Sequence, residues 1–277
     1  MKDMALVEKS VRNKFSALFD KDKVVEDAFK KIKTGTATYD DAQLFAESIG
    51  DILRQSFSSL IDEVGVDIDL ELLADDVVAK MLEGNYRLSS LVCDVVQDNL
   101  NKAAGLGIKP KAPGLDKTRI EGITTLVKRA ENENALRNAL GEKVVNLTQS
   151  YVDDWVKTNA DFQANLGMEP MIVRKWSGSY PSHDTKHTDW CEKLAGVYRY
   201  PDVPKNVFAR HEGCRCTVSY YPEGSTKGKI TALKKGEKDT NQVLWNTGTT
   251  LALDDDGVVR RRVRNNPSEE ANKIING

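Results

Sequence analysis

As far as Gly167, apolar residues recur at three- and four-residue spacing, the period of one helix face. Thr38, with Asp41 three residues on, predicts a helix N-terminus. Behind it Phe45, Ile49, Ile52, Leu53, Phe57 and Leu60 keep the period. A second helix is predicted over Leu70 to Leu82, closed at Gly84-Asn85, residues that favour the left-handed turn of a helix C-terminus. A third runs from Ser89 towards Ala104, with Leu91, Val92, Val95, Val96 and Leu100 inward. Cys93 lies in it and reads as a small buried hydrophobe. The stretch GLGIKPKAPG, 105–114, has glycines and prolines that cannot continue a helix, and it reads as the main linker. Beyond it, helices over Lys117 to Leu140 and Glu142 to Leu166 read as a packed hairpin. The second carries the stripe Val144, Leu147, Tyr151, Trp155.

After Gly167 the period changes. Met171 to Trp176 alternates apolar with basic residues, as a strand does, and Val197 to Tyr200, Val207 to Ala209 and Arg215 to Tyr221 are further strand candidates. From Lys227 onward the chain is polar and turn-rich. Arg260-Arg261-Arg262 follows Asp254-Asp255-Asp256 there, the pattern of a solvated or partner-ordered tail. The predicted fold class is α+β, in five parts. A helical region (1–104), a linker (105–114) and a helical hairpin (115–167) form a mainly α-helical body; a small β-rich Cys/His module (168–226) and an irregular polar C-terminal tail (227–277) follow.

Composition narrows the function classes. A chain of 277 residues can bury a real core, and 30% charged against 40% apolar residues suits a helix-rich soluble protein. A net charge of −2 supplies no global field that would draw it to nucleic acid. The opening MKDMALVEKSVRNKF lacks the apolar run of a signal peptide, and nowhere do about eighteen apolar residues stand together, so no membrane contact is expected. Without an export signal, the four cysteines point to reduced thiols or a metal, and to the cytoplasm of the cell that makes the chain.

The chemistry concentrates between His183 and Cys216. That window holds all three histidines (His183, His187, His211) and three of the four cysteines (Cys191, Cys214, Cys216). Cys214 and Cys216 are two apart, so an extended strand points both thiols to one face. His211 precedes them at a distance a turn can close, and Cys191 completes a Cys3His set suited to a structural Zn2+. Packed or hydrogen-bonded thiols are the other reading, and a Cys191–Cys214 disulfide in an oxidising compartment is a third. Catalytic patterns are thin. His183 and His187 lie near Asp184 and Asp189, but H-E-x-x-H is absent, as are the H-x-E and C-x-x-C elements of zinc deaminases and any Gly-rich phosphate loop. A Cys214 nucleophile would need His211 as its base.

Two segments, WCEKLAGVYRY (190–200) and VFARHEGCRCTVSY (207–220), together resemble the C-terminal motif of the Mu F-like head morphogenesis proteins. These are minor capsid proteins of tailed phages, here in the form common in phages and prophages of Gram-positive bacteria. The family pattern reads C-x-W-C-x-x-L-x-G-x-Y-x-Y, then R-H-x-x-C-x-C-T-V-x-Y, and it picks out Trp190, Gly196, Tyr198, Tyr200 and Arg210 as structural motif residues. Where the family has the first Cys of its C-x-W-C pair, this chain has Thr188, preceded by His187. Either His187 replaces that ligand, or the site runs on Cys191, His211, Cys214 and Cys216 alone. The resemblance implies a low-copy, non-enzymatic protein of the phage head, assembled in the host cytoplasm. Its partners would be the portal and major capsid or scaffold proteins, and packaged DNA through the tail. Two alternatives stand beside it: a metal-dependent nuclease or toxin-like effector using His183 or His187, and a nucleic-acid-binding zinc module using Arg210, Arg215, Lys227 and Lys229.

Overall fold

Helix starts in this chain are set by side-chain oxygens. Asp3, Asp22, Asp69, Asp116 and Asn132 each accept a hydrogen bond from a backbone N–H in the turn that follows. Thr38 and Asp41 close a reciprocal capping box, as their spacing predicts. The computed structural model describes residues 3–178, 190–222 and Ala271, Ile274 and Ile275. Its helices are α1 (Met4–Phe19), α2 (Lys23–Thr34), α3 (Tyr39–Val64), α4 (Leu70–Leu72), α5 (Ala79–Ala103), α6 (Lys117–Lys128), α7 (Glu133–Ala139) and α8 (Glu142–Asn165). A π-helical stretch, Leu73–Val78, joins α4 to α5. Strands β1 (Met171–Lys175), β2 (Gly196–Arg199) and β3 (Thr217–Tyr221) form one antiparallel sheet in the order β2-β1-β3. The chain is thus α+β, mostly helical, with a small sheet beside a Cys/His cluster.

The body is organised on α3 and α8. They approach so closely that a Cβ on Gly50 would lie 2.9 Å from Val145 Cα. At this crossing Asn85 of α5 donates to Ile49 O (3.3 Å) and Thr148 Oγ1 (3.0 Å), linking three helices through one buried amide. Around it Phe45, Ile49, Leu53 and Phe57 of α3, Val92 and Val96 of α5, and Tyr151, Val152 and Trp155 of α8 are all buried. Each such side chain contributes roughly 1.5–3 kcal/mol on leaving water.

Several expectations change. The predicted stop at Gly84-Asn85 does not occur, and α5 runs on through both residues. Asn85 spends its amide on a tertiary contact instead of a cap, which outweighs the cost of about 1 kcal/mol for a mid-helix glycine. Residues 117–140 form two helices, α6 and α7, broken where Asn132 caps the second. α8 packs along α3, so the expected two-helix hairpin is instead part of a larger bundle.

The 105–114 stretch is irregular, with Gly105 at φ 72°. It is also strapped to the body: Lys111 N donates to Asn159 Oδ1 (2.9 Å), and Tyr86 Oη donates to Pro113 O (2.6 Å). Helices on both sides of it share one hydrophobic core, so it does not separate two cores. Val207–Ala209 is not a strand, since its N–H groups are spent on turns, Val207 N donating to Pro204 O and Ala209 N to Asn206 O.

The expected polar tail, 227–277, lies almost wholly outside the described residues. Where it is described, Ala271 and Ile275 are buried in the body's core, and Arg12 Nη1 donates to Ile275 O (2.7 Å). The polar average of the tail hides this apolar triplet at helical spacing. No described helix is long and apolar enough to cross a membrane.

Gly50→Ala should destabilise the protein by about 1–3 kcal/mol, although alanine is the better helix former, because the new methyl meets backbone rather than a flexible side chain. Urea unfolding followed by far-UV circular dichroism measures it. Unchanged or increased stability would show that the α3–α8 distance is slack.

Candidate metal centre

The site is built on β1 and the two segments that flank it in the sheet. Gly167, at φ 81°, ends α8 and lets β1 start directly beneath it. β1 is central, with Arg174 opposite Gly196 of β2 and Val218 of β3. Residues 190–193 form a helical turn that carries Trp190 and Cys191. Tyr198 Oη then donates to Leu194 O (2.9 Å), folding its ring over Gly196, where a Cβ would meet that hydroxyl at 3.0 Å. Tyr200 anchors the end of β2: its backbone N donates to Pro170 O (2.8 Å), and its hydroxyl donates to Asp161 of α8.

The 210–216 segment faces two ways. Arg210 turns into the helical body: Nε and Nη2 meet Asp153 of α8 at 2.5 and 2.9 Å, Nη2 also reaches Gln43 Oε1 of α3 (2.9 Å), and Nη1 donates to Cys216 O (2.9 Å). Burial works against the Arg210 charge, but Asp153 beside it holds its pKa above the ordinary arginine value. Gln43 Nε2 donates to the same carboxylate at 2.7 Å, so Asp153 is fully engaged. The following turn is pinned by Asn146 of α8, which donates to His211 O (2.5 Å) and accepts from Gly213 N (3.1 Å). Gly213 takes φ 74°, a left-handed conformation that suits glycine, and the turn delivers Cys214 to the cluster. Arg215, between the two cysteines, points outward to Glu47 (3.0 Å) and Glu142 (2.7 Å).

Cys191, Cys214 and Cys216 are buried together, with Trp176 and Trp190 packed around them. Cys191 Sγ is 3.7 Å from Cys214 Sγ and 3.6 Å from Cys216 Sγ. These separations rule out a disulfide in this structure, and all three thiols are free. They match the edge of a tetrahedron of sulfurs about 2.3 Å from a central ion, an edge of about 3.8 Å. The ligand atoms of Cys191, His211 and Cys214 lie within 4.8 Å of one another, so these three residues form a cluster that can hold a metal ion. His211 Nδ1 is 2.8 Å from Glu212 O, and since a carbonyl only accepts, this contact favours the tautomer with the proton on Nδ1. Trp190 packs edge-on against the imidazole at 6.0 Å.

The thiols share charge unequally. Hydrogen bonding with Cys191 and Cys214 holds the Cys216 thiol well below its usual range, with Arg174 adding to the effect. The same thiol contacts, and burial after them, push Cys191 up.

The sequence-derived set is thus brought together in part. Cys191, His211 and Cys214 converge, and Cys216 joins them through Cys191. His183 and His187 lie outside the described residues. Sequence reasoning missed Asp153, Gln43, Asn146 and, most of all, Arg174. Arg174 is fully buried, with Nη1 on Val207 O (2.5 Å) and Nη2 at 3.2 Å from Cys191 Sγ and 3.8 Å from Cys214 Sγ. A signal for it exists in the strand: Arg174 has the parity of Ile172, and alternation points both to the same face.

Replacing Arg210 by Met should cost about 3–5 kcal/mol, because it strands a buried Asp153 carboxylate. A companion Asp153→Asn change in the same background should recover part of the loss. Denaturant unfolding of the single and double variants checks this, and additive losses would show that the two side chains act separately.

No protein-family model, no curated protein and no solved structure matches this chain.

Proposed function

We propose that the chain is a structural and assembly protein of a tailed-phage head, non-enzymatic, whose β-rich module is stapled by Zn2+ on Cys191, His211, Cys214 and Cys216. The observation that supports this reading is where the resembling residues fall. Trp190 packs on His211, Tyr198 folds over Gly196, Tyr200 ties β2 to α8, and Arg210 ties the cluster segment to α3 and α8. Each is spent on holding the module to itself or to the helices.

The donor set fits the ion. Three thiols and one imidazole suit Zn2+ in a tetrahedral site, and four protein ligands leave no position for a reacting water. A three-stranded sheet alone is a marginal fold, so an ion at this point contributes folding free energy where apolar burial is scarce. The partners in this reading are the portal and the inner surface of the shell formed by major capsid or scaffold proteins. The part of the tail outside the described residues is the candidate contact with packaged DNA.

Two measurements test the proposal. Elemental analysis of the purified chain should give one zinc per molecule. Cys214→Ser should abolish it and lower stability by about 3 kcal/mol or more; a metal-free wild type with the same melting temperature as the zinc-treated protein would refute the staple. In gradient-purified particles of the parent phage, quantitative mass spectrometry should find the chain in low copy, in fixed ratio to the portal. Absence from mature particles and immature heads alike would refute the head assignment.

A further inference from the structure

We propose that Arg174 is the buried counter-cation of the metal centre: its guanidinium neutralises the charge that three thiolates leave on a divalent ion, and so sets how tightly the ion is held. The inference rests on the zinc reading above and goes beyond it to a residue that is not itself a ligand.

Arg174 is only 1% exposed, which makes it, after Trp155, among the largest side chains sealed inside the protein. A buried arginine ordinarily meets a carboxylate, because an uncompensated charge in a low-dielectric interior is costly. Arg210 does so with Asp153. Arg174 differs. Among the described residues its hydrogen bonds go to the Val207 carbonyl and to the sulfurs of Cys191 and Cys214, and its Nε is buried without a partner. Its cationic carbon lies 5.9 Å from the Trp190 ring, which covers the group without supplying a negative charge. The thiol cluster is therefore what answers this cation.

The charges close. Three thiolates and a neutral imidazole around a divalent ion sum to −1, and Arg174 brings the enclosed site to zero. Nη2 also donates directly to two of the sulfurs, and such charge-assisted N–H···S bonds withdraw electron density from them. That makes the bound thiolates poorer nucleophiles and less exposed to electrophiles. The fold fixes the position of this cation: Arg174 sits on the central strand of the sheet, between Gly196 of β2 and Val218 of β3.

The test uses the full chain loaded with zinc. Arg174→Met, which keeps the stem but not the charge, should weaken zinc binding at least tenfold in competition with a chromophoric chelator. It should also speed alkylation of the zinc-loaded thiols by N-ethylmaleimide. Arg174→Lys, which restores a cation, should recover most of the affinity. Substituted with Co2+, the Met variant should show a shifted sulfur-to-metal charge-transfer band, which a merely space-filling role would not move.

If the Met variant does not fold, Arg174→Gln takes its place, since it keeps N–H donors without charge. Zinc affinity within twofold of wild type in either neutral variant, with an unshifted band, would overturn the proposal. Wild type that binds no zinc would overturn the metal reading itself, and the two failures are thus told apart.

Discussion

The buried pair between Arg210 and Asp153 is the contact on which the two unlike halves of this protein depend. A three-stranded sheet is a marginal fold alone, and this one leaves its cluster segment with little apolar surface to bury. An ion pair removed from water is not stabilising in itself, because desolvation offsets the attraction. Here the offset is reduced by saturation: Arg210 reaches Asp153, Gln43 and Cys216 O, and Gln43 in turn donates to Asp153. What the pair contributes above all is register. Gln43 belongs to α3 and Asp153 to α8, so Arg210 can be satisfied only where these helices stand at their observed separation. Gly50 permits that separation by presenting no side chain to Val145.

The same turn governs the thiols. Arg210 points into the helices and the next residues run to the cluster, so docking and ligand geometry are set within a few bonds of each other. Asn146 holds both ends of the His211–Gly213 turn, and the helical body thereby presents His211 to Cys191 and Cys214. The ion pairs outside this core weigh less. Lys143–Glu212, at 3.0 Å, has an exposed carboxylate and belongs to a class worth a few tenths of a kcal/mol. Arg215 with Glu47 and Glu142 is more sheltered and steers the Cys214–Cys216 segment so that both thiols turn inward.

Much of this was legible in the sequence because it is periodic or local. The Thr38 capping box, the α3 face from Phe45 to Leu60 and the α8 stripe from Val144 to Trp155 follow from spacing alone, and so do strands β1, β2 and β3. That Cys214 and Cys216 gather in one cluster was also readable, although β3 begins only at Thr217 and neither cysteine lies in the strand. What was not legible is tertiary. Gly84-Asn85 carries a stop signal, yet α5 continues because Asn85 finds Ile49 and Thr148 on other helices. The 105–114 stretch has the composition of a linker, yet Asn159 and Tyr86 bind it to the body. Asp153 and Gln43 look like surface residues of helices until Arg210, far along the chain, supplies the charge that accounts for their burial. Arg174 was hidden by its type: a basic residue in a strand reads as solvent-facing unless something inside the fold is negative.

That last point bears on what the site is for. In the Cys/His cluster most polar atoms already have partners inside the fold. Its three sulfurs are enclosed, its imidazole Nδ1 meets the Glu212 carbonyl, and a tryptophan closes on the ring. The Arg174 guanidinium donates to two of the sulfurs. Each of these arrangements lowers reactivity and raises order. A four-ligand ion added to them would deepen the same well rather than open a new path, and the cost of assembling so many polar groups is offset by fixing one turn, 210–216, against two helices. Rigidity of that turn is what such a site delivers.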